Sequence, residues 1–210
     1  MQMILRGDAP RTAQIVVQMA HSYKKLLELG ASKESLRKLG FIYPFQRKNK
    51  RRKEALICTN SDRIEHCKEI VKAIPQMHFH IAALTEMSPK LMSVESFPNV
   101  SLYPAAKTEM IRELFASCDY YLDINYEGEI VSAVRRAFLN NQLIFAFQET
   151  VHNRDYISNR QIYPSGEADR MIRDIWDTIE NVSVLAERLQ KQRATALVEF
   201  SEDYRKFLEE

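Results

Sequence analysis

The sequence predicts an α/β fold: a Rossmann-like parallel sheet of about six strands flanked by helices. Two observations predict this fold class. From residue 54 onward, short apolar runs alternate with amphipathic stretches that have helical spacing. The apolar runs have no clear polar face, as expected of strands that are covered on both sides of a parallel sheet. Right-handed crossovers would then place the carboxyl ends of all strands at one edge.

The first segment, residues 1–53, is predicted to contain N-terminal helices and a basic linker. Residues 12–29 repeat apolar side chains at helical spacing, which predicts a helix that stops at Gly30. Residues 32–40 predict a second, short helix. Residues 41–53 follow as the linker.

The second segment, residues 54–165, is predicted to form the βα lobe. Its strands are predicted over 54–59, 77–84, 99–104, 119–124, 143–147 and, more briefly, 161–164. Its helices are predicted over 61–74, 88–93, 108–117 and 129–140. Ser61 and Thr108 are the predicted caps of two of them, because a hydroxyl can accept from the free amides at a helix start. Residues 166–210 are predicted to be packing helices, with one apolar stripe between residues 172 and 189.

The composition is that of an ordinary globular protein, with 45% apolar and 28% charged residues. The formal net charge of +2 is too small to indicate a nucleic-acid partner. No apolar run approaches the roughly 20 residues of a membrane-spanning helix. The three cysteines are far apart, which favours a reducing compartment over a disulfide framework. We therefore expect a cytoplasmic protein.

Polar side chains follow the predicted strands at their carboxyl ends, where doubly wound sheets bind ligands. Their chemistry suits a sugar or a peptide hydroxyl, and a histidine among them could act as an acid or base. The candidates are Thr59, Asn60, Glu86, Asn125, Glu127, Glu129, Glu149, His152, Asn153 and Tyr156. The same residue types also serve as helix caps, turn residues and first-turn acids. Both interpretations stay open on the sequence.

Cofactor and metal sites are not predicted. The five glycines form neither a G-x-G-x-x-G fingerprint nor a P-loop, which disfavours a dinucleotide. His78 and His80 alternate on one face of a strand, a spacing that a metal ion could use. No acidic or cysteine partner is evident beside them, so a half-buried strand face is the favoured interpretation.

The most charged stretch is the run RKNKRRK at residues 47–53. Its basic residues are Arg47, Lys48, Lys50, Arg51, Arg52 and Lys53. They could contact phosphate or an anionic membrane surface, while a solvated linker is the plainer interpretation. Too few aromatic residues interleave with them for a nucleic-acid platform, so no nucleic-acid partner is predicted.

Five segments together resemble a known family. They are FIYPF, HFHIAALTEMSPKLM, FPNVSLYP, CDYYLDINYEGEI and RRAFLNNQLIFAFQETVHN. They are similar to the C-terminal lobe of the stabilising, non-catalytic GT-B subunits of the accessory Sec system peptide N-acetylglucosaminyltransferases, which modify serine-rich repeat adhesins. The likeness covers about residues 40–165 and is most specific over 118–153. It implies a catalytic glycosyltransferase subunit and a serine-rich acceptor polypeptide as partners.

The resemblance also implies where a sugar-nucleotide donor would bind. Retaining GT-B transferases usually carry an E-x₇-E pair, whose first glutamate contacts the sugar and whose second contacts the donor ribose. Glu127 can stand for the first glutamate, but Arg135 stands at the second position. The alternative register, from Glu129, reaches Ala137. Neither register restores the pair.

The first βα loop of such enzymes usually supplies an arginine and a lysine to the diphosphate. Arg63 and Lys68 are poorly placed for this role, and Asp62 beside Arg63 would repel phosphate. The sequence therefore predicts a transferase fold whose donor site is dismantled.

Three functions remain open. The favoured one is a stabilising and acceptor-binding subunit of a protein O-GlcNAc transferase complex, without donor chemistry of its own. The first alternative is an active retaining GT-B glycosyltransferase that uses a UDP-sugar. The second is a Rossmann-like interaction module at the inner membrane surface, whose vesicle binding would be screened by salt.

Overall fold

The computed structural model describes residues 14–18, 20–46 and 50–209. The chain divides into two compact units. The small unit comprises Met1–Pro44 and Arg193–Glu210, and the large unit comprises Phe45–Gln192. Among the described residues, no helix is long and apolar enough to cross a membrane.

The N-terminal part differs from the predicted pair of helices. It contains strand β1 (Ile15–Val17), helix α1 (Ala20–Glu28) and strand β2 (Leu36–Lys38), and β1 pairs with β2 in parallel. The helix predicted over residues 12–29 is therefore correct only for its second part; residues 12 and 13 lie outside the described residues. The run of β-branched side chains in β1 favours an extended backbone. The short helix predicted over 32–40 is wrong, because only a 3₁₀ turn precedes β2.

Gly40 does not end a helix; it lies where the two chain segments of the small unit come into close backbone contact. A Cβ atom at this position would lie 1.5 Å from the carbonyl oxygen of Leu197. The hydroxyl of Tyr204 donates to the carbonyl of Gly40 at 2.5 Å. Next to it, Phe41 forms a parallel bridge with Val198. Only glycine allows this close approach of two backbones.

Six parallel strands form the sheet of the large unit, and the predicted fold class is confirmed. They are β3 (Glu54–Cys58), β4 (His78–Ala82), β5 (Val100–Tyr103), β6 (Tyr120–Asp123), β7 (Leu143–Phe147) and β8 (Ile162–Tyr163). Their order across the sheet is β5-β4-β3-β6-β7-β8. The order reverses between β3 and β6, which is the topology of a doubly wound fold.

Helices occupy the predicted positions between the strands and after the last strand, although two begin late. They are α2 (Cys67–Ala73), α3 (Pro89–Met92), α4 (Thr108–Ser117), α5 (Ala133–Leu139), α6 (Ala168–Glu180), α7 (Val182–Thr195) and α8 (Ser201–Glu209). Both α2 and α5 follow a residue with positive φ, His66 and Ser132. Ser61 is therefore not a helix cap, since its hydroxyl accepts from the amide of Arg63 in a turn. The N-cap of α4 is Lys107 rather than Thr108.

The sheet buries a different set of side chains on each face. On one face, Phe79 and Ile81 join a core to which α6 contributes Ile175. On the other face, the ring of Tyr121 stacks on Phe115 of α4, with centroids 6.0 Å apart. The predicted C-terminal stripe is divided at the junction of α6 and α7, where Val182 is 70% exposed.

Two buried glutamine side chains, those of Gln161 and Gln192, take the place of strand pairing along part of β7. The carboxamide oxygen of Gln192 accepts from the amide of Ile144 at 2.9 Å. Gln161 Nε2 donates to the carbonyl of Ile144 at 2.6 Å. Gln192 Nε2 donates to the carbonyl of Gln142 at 2.8 Å. Long polar side chains thus satisfy backbone groups that the short β8 does not reach.

We predict that Gln192→Leu destabilises the protein by about 1–3 kcal/mol, because it leaves the buried amide of Ile144 unpaired. Denaturant unfolding measures this loss. The matched control is Gln190→Leu on the exposed side of the same helix, which should change the free energy of unfolding little. Equal stability of the two variants would contradict this role of Gln192.

Candidate functional site

The loops that follow β3 and β6 meet where the strand order reverses. Ile64 of the first loop forms an antiparallel bridge with Asn125 of the second. The amide of Tyr126 donates to the carbonyl of Arg63 at 3.0 Å. Ligands of doubly wound proteins bind in the crevice at this point of the sheet. Here the two loops pair with each other across it.

Two predicted site residues, Thr59 and Asn125, are buried in this junction. The hydroxyl of Thr59 lies 3.0 Å from Oδ1 of Asn125 and 2.8 Å from the carbonyl of Ser61. Asn125 Nδ2 donates to the carbonyl of Glu127 at 3.0 Å, and its Oδ1 accepts from the amide of Glu127 at 3.2 Å. The side chains of Thr59 and Asn125 therefore shape the loops through internal hydrogen bonds.

His152 lies between two hydrogen-bond acceptors. Its Nδ1 is 2.6 Å from Oδ1 of Asp123, and its Nε2 is 2.5 Å from the carbonyl of Glu127. An imidazole that donates from both nitrogens must carry two protons. The hydrogen bond to the Asp123 carboxylate, only partly opposed by burial, raises the pKa of His152 to about 9. His152 is thus a cation that joins the loop after β7 to the end of β6, and at neutral pH it has no free lone pair for base catalysis.

Glu127 presents its carboxylate at the surface beside a cation. Its Oε1 lies 3.2 Å from the guanidinium of Arg63, and the two side chains are 45% and 64% exposed. The same guanidinium lies 5.3 Å from the ring centre of Tyr126. An exposed ion pair of this kind contributes little to stability, so a ligand could displace it at small cost. Tyr126 was not among the residues predicted from the sequence. It adds an aromatic ring to the ion pair of Arg63 and Glu127.

Glu129 lies in the loop before α5, and its carboxylate bonds to the first turn of that helix. Its Oε1 accepts from the amide of Val134 at 2.9 Å. Free amides at a helix start are a common anion-binding site, and here the protein's own carboxylate takes one of them. Arg135, in the first turn of the same helix, is exposed.

Two further candidates, Asn60 and Glu86, lie beside the crevice. Asn60 Oδ1 accepts from the amide of Leu84 at 3.0 Å. Asn60 and Glu86 line a cavity of about 220 Å³ together with the caps and turns of α3. This volume is small for a nucleotide sugar.

The remaining candidates follow β7. Glu149 is exposed in the turn after the strand. Asn153 Oδ1 accepts from the amide of Asp155 at 3.1 Å and so caps a 3₁₀ turn. Tyr156 is buried, and its ring centre lies 4.9 Å from that of Phe138. The structure thus brings Thr59, Asn125, Glu127 and His152 together and places Tyr156 in the core.

Glu65 is a member of this junction that the sequence analysis missed. It is 5% exposed, and among the described residues neither carboxylate oxygen has a hydrogen-bond partner of good geometry. The pKa of Tyr126 is raised by partial burial and by this neighbouring carboxylate. A glutamate directly before a helix is usually a solvated first-turn acid, so no sequence signal indicates its burial.

The basic run lies only partly within the described residues, since positions 47–49 are outside them. Lys50 and Arg51 are exposed. Arg52 lies 3.7 Å from the carboxylate of Glu54, and Lys53 lies 3.6 Å from that of Glu180.

Residues 55–192 match the model of the GftB/GlyA-F C-terminal domain. The chain belongs to this family. It is 41% identical over 194 residues to the UDP-N-acetylglucosamine–peptide N-acetylglucosaminyltransferase stabilizing protein GtfB of Streptococcus gordonii, a match that covers 91% of this chain and 43% of that protein. The protein of the same name from Streptococcus pneumoniae is 42% identical over 194 residues, covering 91% of this chain and 44% of its own.

A solved structure supports the same relationship. The chain is similar to a chain in the crystal structure of a GtfA/B complex bound to UDP and GlcNAc, with 39% identity and a TM-score of 0.84. That match covers 93% of this chain and 44% of the other. The resemblance found in the sequence is confirmed. This GftB/GlyA-F C-terminal domain spans less than half the length of the relatives that it matches.

We predict that Asp123→Asn lowers the pKa of His152 from about 9 toward its ordinary value of 6.5. NMR titration of the imidazole measures the shift. Because the folded-state pKa is raised, the stabilisation from this contact is fully present below about pH 6.5 and is lost as pH rises through about 9. The stability difference between the wild type and the variant should therefore shrink over that range.

The control for this experiment is Asp169→Asn, which removes an exposed carboxylate from the first turn of α6. It should leave the His152 titration unchanged. A wild-type His152 that titrates at its ordinary value would show that the ring is neutral and that the contact with Asp123 is not an ion pair.

Proposed function

We propose that the protein is the stabilising and acceptor-binding subunit of a protein O-GlcNAc transferase complex, and that it has no donor chemistry of its own. The observation that carries the proposal is the paired crevice, in which groups suited to a donor site are bonded to one another. The relatives named as stabilising proteins and the similarity to a GtfA/B complex support it. The proposed partner is a catalytic glycosyltransferase subunit.

The crevice is electrostatically unsuited to a nucleoside diphosphate. A diphosphate needs free cations or free backbone amides. Arg63 is engaged by Glu127, and the amide of Val134 is engaged by Glu129. A nucleotide would therefore have to displace a carboxylate of the protein from each of these two groups.

A neutral polypeptide can bind at the same edge without the free cations or free amides that a diphosphate needs. The exposed group Arg63, Tyr126 and Glu127 offers a donor, a stacking surface and an acceptor. Asn60 and Glu149 are exposed on either side of it. An extended serine-rich segment is polar and carries no phosphate, so hydrogen bonds and stacking suffice to hold it. We place the acceptor at this edge.

We predict that the full-length protein without its partner neither hydrolyses nor transfers UDP-N-acetylglucosamine, and that Arg135→Glu creates no activity. One restored glutamate does not assemble a positioned donor site. Calorimetry with the nucleotide sugar and a product assay are the measurements. Transfer by the Arg135→Glu protein would mean that the rest of the donor site is intact and that the active-transferase alternative is correct.

For the acceptor, we predict that Tyr126→Ala combined with Glu127→Gln weakens binding of a labelled serine-rich peptide by about tenfold or more, since a stacking contact and a hydrogen bond are lost. Fluorescence anisotropy with the full-length protein measures the affinity. The melting temperature should change little, because both side chains are partly exposed and lie outside the core. His152 is unsuitable for this test, since its substitution also removes a structural ion pair.

The matched control is Met110→Ala combined with Glu113→Gln, two exposed changes on α4 away from the strand ends. It should keep full affinity. Unchanged affinity in the Tyr126 and Glu127 variant would remove acceptor binding from the proposal. The stabilising role is tested separately, by comparing the melting temperature of the catalytic subunit with and without this protein; equal values would refute that role.

A further inference from the structure

A separate cluster of ligand side chains lies toward the amino end of the sheet, away from the loops described above. Glu54 is the first residue of β3, His80 lies in β4, and Cys118 follows the last residue of α4. A carboxylate oxygen, a ring nitrogen and the sulfur of these three residues all lie within 4.8 Å of one another. Adjacent parallel strands bring them together, since β3 pairs with both β4 and β6.

Within the described residues, only one of the two ring nitrogens of His80 has a hydrogen-bond partner. Its Nδ1 lies 2.8 Å from the hydroxyl of Tyr103. With Nδ1–H donating to that hydroxyl, Nε2 carries the lone pair. Nε2 is buried and has no hydrogen-bond partner in the part of the chain that the structure describes. A buried polar atom without a partner is costly, which is why most such atoms have one.

The distance from Nε2 to Glu54 fits two ligands of one metal ion. Nε2 lies 3.6 Å from Oε2 of Glu54, too far for a hydrogen bond. Two ligands about 2.1 Å from a zinc ion in tetrahedral geometry are about 3.4 Å apart. The small difference requires only a slight rotation of the glutamate side chain.

The chemical types of the three groups also agree with this interpretation. Cys118 is fully buried, whereas Glu54 is half-buried and provides access from solvent. A thiolate, an imidazole and a carboxylate together are typical of zinc, whereas magnesium and calcium prefer oxygen ligands.

We propose that Glu54, His80 and Cys118 form a zinc site, with Tyr103 positioning the imidazole from behind. Water completes the tetrahedron, and coordination releases the thiol proton of Cys118 to solvent. The ion would join β3, β4 and the start of β6 on the face that α4 covers. This site is independent of the proposed acceptor edge, which lies at the opposite ends of the strands.

The test uses the full-length protein, stripped with a chelator and titrated with Co²⁺ as a spectroscopic substitute for Zn²⁺. We expect the visible ligand-field bands of a tetrahedral ion and a thiolate-to-cobalt charge-transfer band, all displaced by Zn²⁺. Added Zn²⁺ should also raise the melting temperature, because binding to the folded state alone stabilises it. Absence of these bands in the wild type would overturn the proposal.

Matched substitutions assign the ligands. Cys118→Ser should abolish the charge-transfer band, and Cys67→Ser, at another buried cysteine, should retain it. Tyr103→Phe removes a group that positions a ligand, so it should weaken Zn²⁺ binding by about 10–100-fold. Glu54→Gln removes a ligand and should weaken Zn²⁺ binding by more.

His78→Gln serves as the histidine control, since His78 Nε2 is bonded to the hydroxyl of Ser101 at 2.8 Å; it should bind as the wild type does. A charge-transfer band that persists in Cys118→Ser would overturn the assignment. If that variant does not fold, unchanged Zn²⁺ affinity in Glu54→Gln would overturn it instead.

Discussion

The parallel pairing of β3 with β6 is the constraint on which the rest of the large unit depends. Ala55 and Leu56 lie opposite Tyr120 and Tyr121, although the two strands are far apart in the sequence. This pairing reverses the strand order and places the loops after β3 and β6 side by side. Backbone bonds between these loops then close the crevice in which a doubly wound protein would bind its ligand. The strand pairing that builds the sheet therefore also brings about the closure of the crevice.

The polar groups at this edge stabilise the protein instead of remaining available for catalysis. A general base needs a free lone pair, and an anion site needs free donors. His152 donates from both ring nitrogens, and Glu129 accepts from the start of a helix. These hydrogen bonds hold the loops at this edge in place. An exposed rim of polar and aromatic side chains on this scaffold agrees with the proposed function.

The side chains at the amino ends and at the carboxyl ends of the strands differ because the chain enters and leaves the sheet in different ways. Side chains at the carboxyl ends come from long loops, which pair with one another and cover the sheet. Near the amino ends the chain arrives directly from helix or linker, so Glu54 and Cys118 lie beside the sheet with little intervening backbone. His80 is held between them by strand register. Ligand groups can converge there without a loop to position them.

The sequence by itself determined the alternation of strands and helices, and it predicted α4 and β7 with the bounds that the structure shows. Such local patterns suffice because a short apolar run between amphipathic stretches can bury its side chains only as a covered strand. They were insufficient for β1, where a few β-branched residues outweighed helical spacing. The sequence also selected Thr59, Asn125 and His152 and detected the missing second glutamate. Only the tertiary structure decided that Thr59 and Asn125, 66 residues apart, satisfy each other, and that His80 faces Glu54. Contacts of this kind depend on strand order and register, which the spacing of residues along one chain does not encode.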